Sequence, residues 1–349
     1  MRLRLYSSCL LSSSSLILAS ISNICTMPPS AAALSISIST TSTAGTAKPS
    51  ENAKVMGRNF EIFQLKKLSD AGLMGVQRPI TIVAEAVGTV PEQTMRGTLA
   101  FSAETVSNER ELLATKIVHF QRHGQGYHNL LGEIFRDFYG KPVNLDDKNP
   151  ATNPFLREEI LDSPLTEKGR NECSNRRKEA AFLNPQAIIV SPLHRAIQTA
   201  MLSFADHLPN NTNGGAKKHI PWVAHEGVRE QMGLLLCNKR RALSQTKEEF
   251  PHIDFSEMAG SGDEDEGWDS EARESPKAET ERIYNFLTEF LMKRPEEELA
   301  LVGHSAWLFT MCNAVIDCQD DASLKGLFGT SEIRSMRMSF YKTPIDEKL

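Results

Sequence analysis

"IVHFQRHGQGYHN", residues 117–129, changes within a few positions from an apolar run to an arginine, a histidine and a glycine in succession. Short apolar runs of this kind are typical of a buried strand. A core has no use for Arg122 and His123, because an unpaired charge is costly to bury. The stretch therefore predicts a strand that ends by presenting two reactive side chains at the edge of a sheet.

Further strands of this kind alternate with helices along the chain. Strand patterns occur in "KIVHFQ", "QAIIVS", "IPWVAH" and "ELALVG". Helical patterns occur in "LTEKGRNECSNRRKEAAFL", "HRAIQTAMLSFADHL", "SPKAETERIYNFLTEFLMKR" and "AWLFTMCNAVI". Apolar strands separated by helices are typical of a parallel sheet covered on both faces. We therefore predict an α/β fold, a three-layer α/β/α sandwich with a mostly parallel central sheet.

Three of the predicted strands end in a reactive side chain. Arg122 and His123 follow the first, Arg195 follows the second in "SPLHRA", and His304 follows the last in "GHSAW". Ligands of such sheets bind beyond the carboxyl ends of the strands. There, two guanidinium groups can hold phosphate oxygens and an imidazole can attack phosphorus. Gly124 is expected to let the backbone turn sharply and approach the ligand.

These segments resemble the histidine phosphatase superfamily, in its phosphoglycerate mutase-like branch. The matching features are Arg122-His123-Gly124 with Asn129, then "LTEKG" at 165–169, "SPLHRAIQTA" and "LVGHSAWL". They occur in the family's order and extend from about residue 116 to residue 341. A lone Arg-His-Gly would be weak support, whereas four ordered motifs are specific.

The resemblance implies a phosphomonoester hydrolase that works through a phosphohistidine intermediate. His123 would take the phosphoryl group, and water would then remove it. The groups that would hold the phosphate oxygens are Arg122, Asn129, Arg195 and His304.

The same mechanism requires a carboxylic acid that protonates the leaving oxygen. Glu230 resembles the family's acid, in the setting Val228-Arg229-Glu230 followed by Gly233. Glu226 competes for the role, but we expect it to lie on the solvated surface. We therefore assign the general acid to Glu230.

Two alternatives to a phosphatase remain open. Cofactor-dependent mutases of the family carry "ESxWN" after the first motif, whereas this chain has "QGYHNLLGEIFRDFYG". This difference makes phosphoglycerate mutase-type transfer the second choice. A non-catalytic phosphate-ligand binding protein is the third, since all the catalytic residue types are present. In each case the expected partner is a small phosphorylated metabolite.

Several other histidines admit simpler explanations. His119, His123 and His128 could together bind a metal, but a metal site would leave both arginines unexplained. We expect neither a metal nor a cofactor. His128 either touches the substrate or sits on its loop, and we expect His194 to be a packing or surface residue.

Two charged runs lie near the predicted acid. Residues 239–241 are Lys-Arg-Arg, which either bind an anionic substrate tail or form an exposed basic run. We expect the acidic stretch 257–274 to be a mobile loop, and it is a candidate lid over the site.

Composition restricts the remaining classes. The net charge of −5 gives no sign of a nucleic-acid-binding surface. The six cysteines have no paired or zinc-type spacing, so we expect free thiols.

We predict three segments. Residues 1–55 are hydroxyl-rich and carry no acidic residue before Glu51, which is typical of a targeting sequence. The apolar stretch within residues 1–55 is too short to span a membrane. We expect the protein in the cytoplasm or in a plastid or mitochondrion, with the secretory route as an alternative. Residues 56–115 form an extension with a β-hairpin from "RPITIVAEAV" and "TMRGTLAFSAET", and residues 116–349 form the catalytic domain.

Overall fold

The structure is a computed structural model that describes residues 51–88, 110–208 and 220–344, with side chains from residue 60. The contacts discussed below belong to one compact unit, Lys54–Leu349.

Within the described residues, one sheet forms the centre of the fold. Its strands are β1 (Ile80–Ala86), β2 (Leu112–Arg122), β3 (Ala187–Val190), β4 (Trp222–Ala224), β5 (Glu298–Gly303) and β6 (Ile333–Lys342). Their spatial order is β1-β6-β2-β5-β3-β4. β2, β5, β3 and β4 pair in parallel, while β6 runs antiparallel to both of its neighbours. Every strand except β6 therefore points the same way, which confirms the mostly parallel sheet.

Helices connect the strands. The α-helices are α1 (Glu51–Asp70), α2 (Tyr127–Tyr139), α3 (Glu167–Ala180), α4 (His194–Ser203), α5 (Leu243–Glu249), α6 (Pro276–Asn285), α7 (Ser305–Thr310) and α8 (Ala322–Lys325). α6 continues as a π-helix over Phe286–Leu291, and α7 continues as one over Met311–Val315. Short 3₁₀ turns occupy Pro154–Leu156, Glu158–Ile160, Ala205–His207, Glu226–Val228, Leu236–Asn238 and Ser256–Met258.

The sheet is covered on both faces, because successive side chains of a strand point to opposite sides. Leu301 of β5 packs with Ile283 of α6 and Trp307 of α7. Its neighbour Val302 packs in a second cluster with Ile197 of α4. The two clusters lie on opposite faces of the sheet, and the predicted three-layer α/β/α arrangement is confirmed.

The first described strand comes from the predicted N-terminal extension. β1, which comes from "RPITIVAEAV", is the edge strand of the sheet and pairs with β6, and its residues Ile82 and Ala84 join the main core. The other predicted hairpin strand, in residues 94–105, lies outside the described residues, so the hairpin stays a prediction. β2 begins before residue 116, and α1 begins before residue 55.

The described residues contain neither a disulfide nor a helix that is long and apolar enough to cross a membrane. Cys173, Cys237, Cys312 and Cys318 are buried with free thiols.

Candidate active site

His123 lies where β2 ends and is 1% exposed. Its backbone N–H donates to the carbonyl of Gly303 at the end of β5 (3.0 Å), which ties the two strand ends together. In the side chain, Nδ1 lies 2.7 Å from the carbonyl oxygen of Gly124. A carbonyl can only accept, so Nδ1 carries the proton and Nε2 is the unprotonated nitrogen with the lone pair.

The surroundings of His123 keep its ring neutral. Burial lowers its pKa well below the usual value, and the positive charges of Arg195 and Arg122 lower it further. Both effects disfavour the imidazolium form. The result is a neutral imidazole with its lone pair on Nε2, which is the form that a nucleophile requires.

Arg195 lies in the first turn of α4, directly after β3, and is fully buried. Its Nε donates to Nε2 of His123 at 3.3 Å. Its other two nitrogens donate to the carbonyl of Cys237 (2.6 Å) and to Oδ1 of Asn238 (3.0 Å). Asn238 in turn donates from Nδ2 to the carbonyl of Gln231 (2.8 Å). Cys237 and Asn238 hold the guanidinium in place, and neither is predicted from the sequence pattern.

His304 follows β5 and is also fully buried. Its ring centroid lies 5.1 Å from that of His123. Its Nε2 is 2.8 Å from Oγ of Ser191, while its Nδ1 is buried without a partner among the described residues. Burial and the charge of Arg195 lower the pKa of His304 well below its usual value. A buried ring nitrogen without a partner calls for an explanation, and a bound oxyanion would supply one.

Arg122 is the last residue of β2 and is half-buried. One of its terminal nitrogens donates to the carbonyl of Phe328 (2.7 Å), and its Nε is buried without a partner among the described residues. Burial lowers the pKa of Arg122, and the negative charge of Glu230 is the largest effect that raises it again. Arg122 and Glu230 are therefore electrostatic neighbours.

Asn129 lies in the first turn of α2. Its Oδ1 accepts the backbone N–H of Gly126 (3.0 Å), which closes the start of the helix. Because the carbonyl oxygen is engaged, the amide Nδ2 is the group left for a ligand, and no acceptor pairs with it among the described residues.

Gly124 is required by close packing rather than by a sharp turn. The φ angle of Gly124 is not positive, so the sharp turn that we expected does not explain why this residue is a glycine. A Cβ there would lie 2.6 Å from Sγ of Cys173 and 2.6 Å from the carbonyl oxygen of Gly169, both in α3. A Cβ on Gly169 would lie 2.1 Å from the carbonyl oxygen of Gln125. The two glycines let α3 approach the loop that follows His123, which explains why both motifs carry one.

Glu230 lies in the loop after the 3₁₀ turn Glu226–Val228, and its carboxylate contacts the N-terminus of α7, the helix that follows His304. Its Oε1 accepts the backbone N–H groups of Trp307 (3.2 Å) and Gln231 (3.1 Å), and its Oε2 accepts that of Ala306 (3.3 Å). The half-buried Glu230 is thus fixed beside His304.

Glu226 is not a solvated surface residue, contrary to the expectation. It is half-buried between two arginines, 3.0 Å from Nη1 of Arg229 and 3.0 Å from Nε of Arg240. Both of its oxygens are occupied by these ion pairs.

The basic run 239–241 is engaged in the fold rather than exposed. Arg240 is 2% exposed and donates to the carbonyls of residues 261–264. Lys239 lies over the ring of Trp268 (4.8 Å), and Arg241 pairs with Glu249 (3.0 Å). The acidic stretch 257–274 is therefore anchored by a buried arginine, which differs from the loosely attached loop we expected.

The remaining histidines are divided between the site and the scaffold. His119 bonds to Ser335 (2.7 Å) and Glu298 (2.9 Å) within the sheet. His194 contacts Arg241 (2.8 Å). His128 lies near the nucleophile, with its ring centroid 5.4 Å from that of His123. Over the described ranges, no group of three or more possible ligands is placed to hold a metal ion.

The chain is similar to proteins of a known family. The family model for the histidine phosphatase superfamily (branch 1) matches residues 156–336, more than half of the chain. A phosphoglycerate mutase-like protein of Arabidopsis thaliana is 31% identical over 245 residues, covering 63% of this chain and 83% of the relative. Phosphoglycerate mutase-like protein 1 of the same plant is 30% identical, covering 63% and 80%. A solved mycobacterial glucosyl-3-phosphoglycerate phosphatase aligns with a TM-score of 0.36 and 18% identity, covering 66% of this chain and all of that one.

Proposed function

The chain belongs to the histidine phosphatase superfamily, branch 1, and from this membership we propose that it hydrolyses phosphomonoesters of small metabolites through a phosphohistidine on His123. The observation that carries the proposal is the lone pair on Nε2 of His123, which faces the Nε of Arg195 at 3.3 Å. A neutral nucleophile beside a fixed guanidinium suits attack on a phosphate dianion.

In the first step, Nε2 of His123 attacks phosphorus while the ester P–O bond breaks. The leaving oxygen takes a proton from Glu230, since an alkoxide is a poor leaving group. Bound phosphate brings negative charge close to Glu230, which favours uptake of that proton by the carboxyl group. Arg122, Arg195, His304 and the amide of Asn129 hold the non-bridging oxygens and stabilise their charge.

In the second step, water attacks the phosphohistidine. Glu230, now ionised, takes a proton from the water, and the P–N bond breaks so that its electron pair returns to His123. The backbone N–H groups of residues 231, 306 and 307 stabilise the ionised form of Glu230 that this step needs. Inorganic phosphate and the starting enzyme result.

Rapid mixing with a ³²P-labelled phosphomonoester tests the proposal. The full-length chain is expected to take up an acid-labile, base-stable label and to release inorganic phosphate, while His123→Ala does neither. His252→Ala is the matched control, because this half-buried histidine packs on Trp222 (ring centroids 5.4 Å apart) and has no place in the site. Substantial labelling of the His123 variant would contradict the proposal.

Phosphoryl transfer of the mutase type is the second candidate, because two relatives are named phosphoglycerate mutase-like. Labelled 3-phosphoglycerate separates the two reactions. A hydrolase releases labelled inorganic phosphate, whereas a mutase moves the label to the second hydroxyl of the substrate. A protein that binds phosphate ligands without catalysis would take up no covalent label at all.

A further inference from the structure

His123 has a histidine neighbour on each of two elements, and the two neighbours are arranged alike. The rings of His304 and His128 lie 5.1 and 5.4 Å from the ring of His123, tilted by 59° and 57°. Each neighbour is tied by one nitrogen to a buried serine. Nε2 of His304 is 2.8 Å from Ser191, and Nδ1 of His128 is 3.0 Å from Ser163.

The second nitrogen of each neighbour is left without a protein partner. For His304 this nitrogen is Nδ1, which is buried. For His128 it is Nε2, to which nothing in the described part of the chain forms a hydrogen bond. His128 is half-buried, so this nitrogen remains reachable. Two serine-anchored imidazoles thus each keep one ring nitrogen for a ligand at the nucleophile.

The backbone around His128 is built to admit its ring. A Cβ on Gly126 would lie only 2.7 Å from Nδ1 of His128 and 3.5 Å from Cδ of Arg195. Any larger residue at position 126 would push the ring away from the site. His128 and Asn129 both lie in the first turn of α2.

His128 is neutral, like His304. Burial lowers its pKa well below the usual value, and Arg195 is the next largest cause. A neutral imidazole has one donor and one acceptor nitrogen. When the Ser163 hydroxyl donates to Nδ1, the ring proton sits on Nε2 and can be donated to an oxyanion.

We propose that His128 is a further catalytic residue of the proposed hydrolase, which donates its Nε2–H to a non-bridging oxygen of the transferring phosphoryl group alongside His304. Ser163 is its positioning residue, because its hydroxyl lies 3.0 Å from Nδ1 and, when it donates there, leaves the ring proton on Nε2. This inference rests on the proposed function, in which the phosphoryl group is transferred to His123.

Two amide substitutions distinguish the nitrogens of His128. In His128→Gln, the longer side chain can place an N–H donor near the position of Nε2. In His128→Asn, the amide reaches only the position of Nδ1 and keeps the bond to Ser163. The readouts are kcat/KM and the inhibition constant of orthovanadate, which mimics the pentacoordinate transition state.

His128→Ala and His128→Asn are expected to lose about 10- to 100-fold in both readouts, the usual worth of a hydrogen bond to a charged group. His128→Gln should retain most of both, and Ser163→Ala should show a smaller loss in the same direction. Melting temperatures of all variants, with His252→Ala as the control, separate these effects from misfolding.

The opposite order, with Asn tolerated and Gln impaired, would show that His128 only packs against Ser163, and it would overturn the inference. Wild-type vanadate inhibition in His128→Ala would overturn it as well. Failure of the proposed function looks different, since the unmodified protein would then take up no label on His123 and no variant at position 128 would matter.

Discussion

Nε of Arg195 lies 3.3 Å from Nε2 of His123, and the two other nitrogens of the same guanidinium are held by Cys237 and Asn238. Arg195 is therefore fixed before any ligand arrives. A donor that is fixed in advance needs no reorganisation when charge develops on the phosphoryl oxygens, and such donors contribute most to transition-state stabilisation.

Arg195→Lys is expected to lower kcat/KM by about 100- to 1,000-fold, the usual effect of losing one preorganised donor. Lysine keeps the charge but cannot hold three partners in one plane. Steady-state kinetics with a phosphomonoester measure the loss. Arg177→Lys is the matched control, because Arg177 forms a surface pair with Asp206 (2.6 Å). Near-normal kinetics for Arg195→Lys would place the residue outside the reaction.

Much of this site could be predicted, because most of its side chains follow the ends of parallel strands. β3 and β5 are almost continuous apolar runs and β2 carries a short apolar stretch before its charged end, so their positions are visible in the sequence. The side chains that follow parallel strands must meet at one edge of the sheet, and His123 and His304 do so. The partners of Arg195 could not be predicted in this way, because Cys237 and Asn238 lie in an irregular turn that has no periodicity.

Part of the sheet next to its β1 edge is also not predicted from the sequence. No strand is predicted for β6, although Met336, Met338 and Phe340 are buried and alternate with half-buried neighbours. That period of two is a strand signal. The pairing of β1 with β6 is less accessible, because it joins segments about 250 residues apart and no local pattern specifies it.

The stability of the fold should fall in mild acid, and His225 accounts for part of this. Its ring packs against Phe290 (4.4 Å) and Phe286 (5.0 Å), and its Nδ1 accepts the N–H of Gly227 (2.9 Å). Burial lowers its pKa to about 4. The unfolded chain takes up the proton first, so the stabilisation from neutral His225 is full above about pH 6.5 and is lost as the pH falls towards 4.

Urea unfolding at pH 7.5 and pH 5 measures how much His225 contributes to the free energy of unfolding at each pH. The loss attributable to His225 between the two values is about 2 kcal/mol, from about 1.4 kcal/mol per pH unit. His225→Gln lacks the titrating group, so its unfolding free energy should fall correspondingly less. The other histidines with a lowered pKa are present in both proteins and cancel in the comparison. Equal pH dependence in the two proteins would contradict the assignment.

Arg240→Met should destabilise the fold by about 3–5 kcal/mol, because it leaves Oε1 of Glu226 and the carbonyls of residues 261–264 without the donor that Arg240 supplies. Arg136→Met is the control, since its partner Asp137 is 74% exposed in the side chain and such pairs contribute about 1 kcal/mol or less. Denaturant unfolding gives the free energies. Hydrogen exchange of residues 261–264 should increase in the Arg240 variant, and unchanged exchange would show that other contacts hold the stretch.

Chelation is expected to leave turnover unchanged. Arg122 and Arg195 supply the positive charge that a divalent metal brings to phosphate in other phosphoryl-transfer sites. The measurement is p-nitrophenyl phosphate hydrolysis by the full-length protein before and after dialysis against EDTA. A loss of activity that zinc or magnesium restores would contradict the expectation and assign the charge to a metal.

Glu230→Gln tests the general acid by comparing two substrates. An alkyl phosphate needs its leaving oxygen protonated, so its hydrolysis should slow by about 100- to 10,000-fold. p-Nitrophenolate leaves without a proton, so p-nitrophenyl phosphate should be slowed much less. A folding defect would depress both equally, which makes the ratio of the two rates the decisive quantity.

Glutamine at position 230 keeps one oxygen to accept the N–H groups at the start of α7, which limits the structural change. Glu226→Gln should instead lose stability without this selectivity, because Glu226 is held by Arg229 and Arg240. If Glu226→Gln shows the selective pattern, or if both substrates slow together in Glu230→Gln, Glu230 is not the acid.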